Sequence, residues 1–288
     1  LRNQEMHPTS ALIDTLQRAI HMSHPRTKRI KADDINKIDY DKVLEMYNDR
    51  FKDASDFTFF FVGNIDIDSV KPLITQYLGA LPAIQRKETF KDNGLKARQG
   101  MYENVFIKEQ ETPKSTVFLY YNGKCSYTLK NKLLLSVTDQ ILDIIFTEKV
   151  REEAGGTYGV GVGGSLQKYP EEKFVLQISF DTDPNKKEEL VQIIFTEIEK
   201  LIANGPSAEN LQKVKEFMQK KHKENLKENG YWLGVMDEFA LSNVNMHQNY
   251  NETLEQITAK DIQDFTKMMF SQGNRVEVTM VSPQKEVE

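Results

Sequence analysis

The chain has 288 residues, enough for about two domains and for a buried core built without disulfides or a structural metal. Its 43 acidic and 38 basic residues leave a net charge of −5, which argues against a nucleic-acid footprint and against binding to an anionic membrane. The single cysteine, Cys125, excludes an intrachain disulfide framework and a cysteine-based zinc cluster, and no apolar run approaches the about 20 residues of a membrane span. There is no signal peptide and the first residue is Leu1, so the sequence is expected to be an excised piece or a mature product.

In chain order, Ser10 is expected to cap a helix over 10–22, with Leu12, Leu16, Ala19 and Ile20 at helical spacing and His24-Pro25 as its stop. Asp39 opens a second helix with Val43, Leu44, Met46 and Tyr47 on its apolar side. Phe57 to Val62 is aromatic and β-branched and is predicted to be a buried strand. A short helix follows over 66–77, and residues 83–99 are polar and aperiodic, as a linker would be. Strands are expected around Val105 and Ile107 and over 116–121. Leu129 to Val150 predicts a long helix whose stripe runs through Leu134, Val137, Ile141, Ile144 and Ile145. Ala154-Gly155-Gly156 ends it. A strand over 157–162 and another over 174–180 follow, the latter alternating through Phe174, Leu176, Ile178 and Phe180. Helices over 185–201, 207–226 and 261–270 and a strand over 275–281 complete the chain.

A repeat runs through these elements. An offset of 219 residues pairs Ile38 with Ile257, Val43 with Ile262, Met46 with Phe265 and Phe51 with Phe270. The same offset pairs Phe57, Phe59 and Phe61 with Val276, Val278 and Met280. A period this long marks a duplicated domain rather than a solenoid. The first copy would then lack its front.

The remaining motifs are weaker. Gly159, Gly161 and Gly164 match G-x-G-x-x-G but follow a helix and precede a strand, the wrong context for a dinucleotide site. Their expected use is close backbone approach, by a neighbouring strand in preference to a peptide substrate. His21 and His24 lack a carboxylate partner for zinc, and none of the five histidines belongs to H-x-x-E-H. Cys125 reads as a small buried hydrophobe. Tyr231, Trp232, Leu233 and Met236 form an aromatic-apolar cluster that reads as core packing, with a substrate-pocket wall as the alternative. The lysines over 213–227, interleaved with glutamates, read as a solvated helix face with pairs such as Glu216–Lys220. Arg151 and Tyr158 sit seven residues apart on either side of the glycine turn. Spacing alone lets Arg151 complement a helix C-terminus and Tyr158 pack on the sheet.

Three segments together carry a resemblance. They are Asp56 to Asp66 (the F-x-F-V-G-N-x-D strand and turn), Tyr77-Leu78-Gly79-Ala80-Leu81-Pro82, and Arg151-Glu152-Glu153 with Gly156-Thr157-Tyr158. On these the chain resembles the C-terminal half of zinc peptidases of the pitrilysin/insulinase family, the inverzincins, and most closely their PqqL-type bacterial members. The resemblance implies an α+β fold of duplicated helix-on-antiparallel-sheet domains, one complete and one truncated. Residues 1–83 would be the C-terminal part of the third domain, 84–99 a linker and 100–288 the fourth domain. It implies that zinc belongs to the N-terminal catalytic half of the same protein, with no cofactor or metal in this chain, which lacks H-x-x-E-H and would be inactive alone. The implied site residues are Arg151 and Tyr158, reaching across a closed chamber to the peptide and to the charge that develops on its carbonyl oxygen. Implied partners are that catalytic half and a peptide or unfolded-protein substrate, with no nucleic acid and no membrane span. Self-association through the truncated domain and a bacterial periplasmic or envelope location are further expectations. The rival is a degenerate scaffold or interaction subunit of the same fold.

Overall fold

The computed structural model describes residues 1–283. In chain order it contains helices α1 (Arg2–Met6), α2 (Pro8–Ile20), α3 (Tyr40–Phe51) and α4 (Ile67–Tyr77), then strands β1 (Met101–Ile107) and β2 (Ser115–Lys124). Helix α5 (Leu129–Phe146) continues into a π-helical turn (Thr147–Glu153), followed by β3 (Val160–Gln167) and β4 (Lys173–Thr182). Helices α6 (Lys187–Asn204), α7 (Ala208–Asn225), α8 (Asn229–Ser242), α9 (Tyr250–Gln256) and α10 (Ala259–Phe270) precede β5 (Arg275–Val281). Two compact units result, one of residues 1–29, 94–220 and 248 onward through the described residues, the other of residues 30–93 and 221–247. These boundaries follow packing, whereas the expected segments 1–83, 84–99 and 100–288 follow the repeat.

The first unit is built on a five-stranded sheet in the order β1-β5-β2-β4-β3. β1 runs parallel to β5, and the other pairings are antiparallel. Alternation in β4 works as its sequence dictates: Phe174, Leu176, Ile178 and Phe180 join one core with Val117 and Leu119 of β2. Helices α5, α6 and α10 close that core with Leu133, Val137, Ile141, Phe146, Ile194 and Phe265. The opposite face is covered too. Leu12, Leu16, Ala19 and Ile20 of α2 pack with Tyr120, Val175, Val276, Val278 and Met280. β2 and β5 are therefore buried on both faces, and β5 carries the polar Glu277 and Thr279 into buried positions between Val276, Val278 and Met280.

Helix starts follow local chemistry. Thr128 caps α5 by accepting from the Asn131 N–H, and Thr258 with Asp261 forms a capping box at α10. At α2 the expected cap is displaced: His7 holds the N-cap position, Pro8 is the first helical residue, and Ser10 lies inside the helix. Helices α1, α8 and α9 carry no strong periodicity and were not expected from the sequence. Lys215, expected on a solvated face, is buried, and its Nζ donates to the Glu255 carbonyl at 2.6 Å. Glu216 accepts from Gln212 at 2.8 Å.

The second unit contains α3, α4 and α8. Asp53 organises one end of it, accepting from the Ser55 N–H at 3.0 Å, Ile84 N–H at 2.9 Å and Arg86 N–H at 2.7 Å. These bonds, with that from the Ser55 hydroxyl foremost, hold its carboxyl down to about 2. Arg86 adds ion pairs to Asp49 and Glu88.

One expectation fails here. Residues 57–62 form no strand and are not buried. Strand order needs a ladder partner, and none stands beside this segment among the described residues. The rings contact their own helix end instead, Tyr47 to Phe51 at 4.6 Å and Phe51 to Phe57 at 6.0 Å between centroids. The repeat itself holds to the residue in the helices: the 219-residue offset carries Asp39, the N-cap of α3, onto Thr258, the N-cap of α10, and both helices have 12 residues. Their environments differ. Phe265 is 5% exposed in α10 while its counterpart Met46 is 61% exposed in α3.

Phe146, wholly buried where α5 meets the sheet, tests the first unit. Phe146→Ala should lower its stability by about 3–5 kcal/mol through lost transfer energy and a residual cavity. Denaturant titration followed by circular dichroism reads this directly.

Candidate functional site

The segment between α5 and β3 carries both expected site residues. α5 stays α-helical to Phe146 and then widens: the Ala154 N–H donates to the Lys149 carbonyl, five residues back, at 3.2 Å. The expected single helix over 129–150 thus changes type in its last third. Such π-turns are uncommon and concentrate at functional positions. Arg151 lies in this turn and is exposed.

The following turn is pinned at several points. Gly155 has φ +59°, which a side chain disfavours, and at Gly156 a Cβ would stand 2.7 Å from Leu190 Cδ1 of α6. The Thr182 hydroxyl donates to the Gly156 carbonyl at 2.7 Å, and Lys186 Nζ donates to the Ala154 carbonyl at 3.1 Å. Thr157 then diverts the chain. Its hydroxyl donates to the Gly159 carbonyl at 3.0 Å and accepts from the Gly159 N–H at 3.2 Å. The strand expected from Thr157 therefore starts at Val160.

Tyr158 sits at the crest of this small loop and is 99% exposed. It does not pack on the sheet. Among the described residues neither the Arg151 nor the Tyr158 side chain has a hydrogen bond or ion pair. The turn places both on one connection at the end of the sheet, over a rigid base.

The neighbouring surface offers little free charge. An open cavity of about 450 Å³ lies between the π-turn and α6, lined by Lys149, Glu153, Gln192, Thr196 and Lys200 among others. Lys149 is bound to Glu153 at 2.6 Å and Lys200 to Glu197 at 2.7 Å.

Sequence reading missed Asp139. It projects from α5 onto β3, and its Oδ2 accepts from the Gly164 N–H at 2.7 Å. Its Oδ1 is buried with no hydrogen-bond partner. Burial raises the carboxyl to about 7, with the nearby Asp143 carboxylate adding to the rise and the Gly164 N–H opposing it. Gly164 is obligatory at this approach, since a Cβ there would stand 2.7 Å from Asp139 Oδ1 and 2.8 Å from Leu135 Cδ1. The signal was an acid one turn from the apolar stripe of α5, opposite a glycine-rich strand.

Among the described residues no group of three or more His, Cys, Asp and Glu side chains is assembled to hold a metal. His21 Nδ1 faces the Lys96 carbonyl at 3.2 Å, and His24 Nδ1 accepts from the Arg26 N–H at 3.3 Å. In the second unit His222 and His247 both turn Nδ1 toward the Tyr231 hydroxyl, at 3.4 and 2.8 Å. Tyr231 and Trp232, expected to be core, instead form an aromatic group with these histidines, Trp232 lying 4.8 Å from His247. Cys125 is buried, and burial raises its thiol to about 11, which removes it as a nucleophile. No helix among the described residues is long and apolar enough to cross a membrane.

Comparison with known proteins gives these features a context. The family model described as the peptidase M16 inactive domain matches residues 37–218. A plant protein described as zinc protease PQQL-like, from Arabidopsis thaliana, is 27% identical over 217 residues, covering 71% of this chain and 23% of its own length. The crystal structure of the periplasmic protease PqqL from Escherichia coli superposes with a TM-score of 0.81 at 18% identity, over 98% of this chain and 31% of that one. The first half of the same periplasmic protease also superposes, with a TM-score of 0.76 at 16% identity, over 96% of this chain and 62% of that one. The chain thus spans less than a third of the length of the full-length relatives it matches here.

Asp139 generates a pH prediction. A carboxyl raised from 3.8 to about 7 binds its proton more tightly in the folded state. Its contribution is therefore full below about pH 4 and is lost as pH rises through about 7. Asp139→Asn keeps an acceptor for the Gly164 N–H and removes the titration. Melting temperature against pH should be flatter for the variant between pH about 4 and about 7, and higher than wild type at pH about 8.

Proposed function

The chain belongs to the peptidase M16 inactive-domain family, and from that premise we propose that it is the substrate-enclosing, non-catalytic half of a zinc metalloendopeptidase. In this reading Arg151 and Tyr158 meet a peptide held at a catalytic centre on the other half of the parent protein. The observation that carries it is the 99% exposure of Tyr158 on a loop that is otherwise pinned. A large ring held out on a rigid turn performs no packing in this chain, so its value lies with something that docks against it.

The chemistry available is hydrogen bonding to a peptide oxygen. A phenol and a guanidinium donate without accepting a proton from the reaction, and both suit charge that grows on a carbonyl oxygen during hydrolysis. Zinc, implied by the names of the relatives, would be held by the other half, since among the described residues no group of three or more His, Cys, Asp and Glu side chains is assembled to hold it. Because the fold superposes on the first half of a relative as well as on the whole, Arg151 and Tyr158 support the assignment to the non-catalytic half more than the architecture does. The segments 1–83, 84–99 and 100–288 are then the end of a third domain, a linker and a fourth domain. In support, α3 exposes the residues whose counterparts α10 buries, as a domain missing its front would. Self-association of the separate chain through that face is part of the proposal. A periplasmic or envelope location is supported by the periplasmic protease it resembles in fold.

In the complete parent enzyme, Tyr158→Phe should keep the fold and lower kcat by about 10²-fold, the usual order for one lost transition-state donor. KM should change less. Arg151→Ala should lower kcat and raise KM, and Arg151→Lys should recover little, because an ammonium lacks the planar fork. Unchanged turnover in a folded Tyr158→Phe enzyme would remove the proposed role of the ring, and a parent protein without peptidase activity would favour the scaffold reading.

A second outcome concerns the exposed face. Backbone amides over 57–62 should exchange rapidly in the separate chain and become protected in the parent protein, as read by hydrogen exchange and mass spectrometry.

A further inference from the structure

β3 is an edge strand, with β4 as its ladder partner and nothing on its other side among the described residues. Natural edges are usually blunted by charge, proline or a bulge. The opposite edge, β1, is: Glu103 pairs there with Arg275. β3 reads Val160-Gly161-Val162-Gly163-Gly164-Ser165-Leu166-Gln167 and has no charge and no proline.

The Asp139 bond tells which backbone groups face the free side. The Gly164 N–H goes to Asp139 and not to β4. In an antiparallel ladder the groups two residues away point the same way. Val162 and Leu166 therefore also turn N–H and C=O toward the open edge. The other face of the strand is bare, since Gly161, Gly163 and Ser165 are exposed and a Cβ at Gly163 would meet nothing within 4 Å.

We propose that the free edge of β3 binds an extended polypeptide as an added strand, and that the Asp139 carboxylate guards it by occupying the Gly164 amide until the peptide displaces it. The occupant is a substrate peptide, because the edge begins two residues after Tyr158 and continues the surface on which that ring is presented. The proposal rests on the reading of Arg151 and Tyr158 as substrate-facing, and deepens it by naming the binding mode. Main-chain bonds supply affinity with little sequence demand. The glycines supply the preference: a strand beside Gly161 and Gly163 has room there for large side chains at alternate positions, which would cover the bare face. The preferred ligand is thus extended, free of proline, and bulky at every second residue. The raised carboxyl of Asp139 suits a guard that is only partly charged near neutral pH.

The test uses the full chain and a short acetylated, amidated peptide alternating threonine and tyrosine, with a version carrying proline at alternate positions. Hydrogen exchange resolved by NMR should show the Val162 and Leu166 amides gaining at least about tenfold protection with the first peptide and none with the second. Gly161 and Gly163, already paired with β4, should change little. Asp139→Ala should bind the peptide about fivefold more tightly, the worth of one freed amide, while Asp139→Asn, which still accepts, should match wild type. No protection at Val162 and Leu166 overturns the edge as a site. Equal affinities of the Ala and Asn variants overturn the guard. Protection that grows with chain concentration in the absence of peptide assigns the edge to a second copy and overturns the peptide occupant. Because binding is read without turnover, these failures are separable from full activity of Tyr158→Phe in the parent enzyme, which would remove the catalytic reading and leave the edge untouched.

Discussion

Burial of β2 and β5 on both faces, with β4 burying its alternating apolar face beside them, is the constraint on which the rest of the first unit depends. Two covered faces leave no freedom of register, because a slip of one residue would send Phe174, Leu176, Ile178 and Phe180 out of one core and Val175 into it. With the central strands fixed, β3 has one side on β4 and one side free. The connection entering β3 is then held by Gly156 against Leu190 and by Thr182 on the Gly156 carbonyl. The exposed position of Tyr158 is a consequence of that chain of contacts, beginning in the apolar core and ending at a ring in solvent.

What the sequence made legible was periodic. α5, α6 and α10 follow from apolar spacing, β4 from strict alternation, and the kinship of α3 and α10 from a fixed offset. Arg151 and Tyr158 were singled out by the family resemblance, because their spacing around a glycine turn by itself fits a helix C-terminus partner and a ring packed on the sheet. The illegible features are those that depend on a partner. Phe57 to Val62 has every local property of a buried strand, and the properties do not create the neighbour a strand needs. α8 is apolar on several sides and gives no period to read. The π-turn arises from one carbonyl choosing a donor five residues away, a choice that no pattern of residue types announces. Asp139 was hidden by the same cause: an isolated acid in a helix gains meaning only beside the one strand whose glycine admits it.

The second unit shows the same sequence logic without its completion. α3 matches α10 in length, cap position and apolar spacing, yet no α3 residue is buried. In the first unit the counterparts meet a sheet flanked on both sides. Propensity and capping are thus sufficient to set a helix and its ends, and insufficient to decide what its apolar face meets. The Asp53 cluster, strongly bonded and held ionised well below neutral pH, fixes the segment around 84–86 regardless. Local polar bonding and long-range apolar burial are separable here within one repeat.

The contrast between the two edges of the sheet carries the argument one step further. An uncharged, proline-free, glycine-rich edge is a template for unwanted strand pairing. At β1 the hazard is met by a charge on the strand itself, Glu103, paired to Arg275 of the neighbouring β5. At β3 the protection is one carboxylate reaching from another element, bonded to one amide and leaving its second oxygen unpaired in a buried place. That arrangement costs desolvation, which shows in the raised carboxyl, and it is removable by rotation of one side chain. A permanent charge or a proline on the strand would blunt the edge more cheaply and would also forbid pairing. Protection that can be withdrawn is the form expected where a strand must sometimes be accepted, and it stands on the strand that begins just after Tyr158.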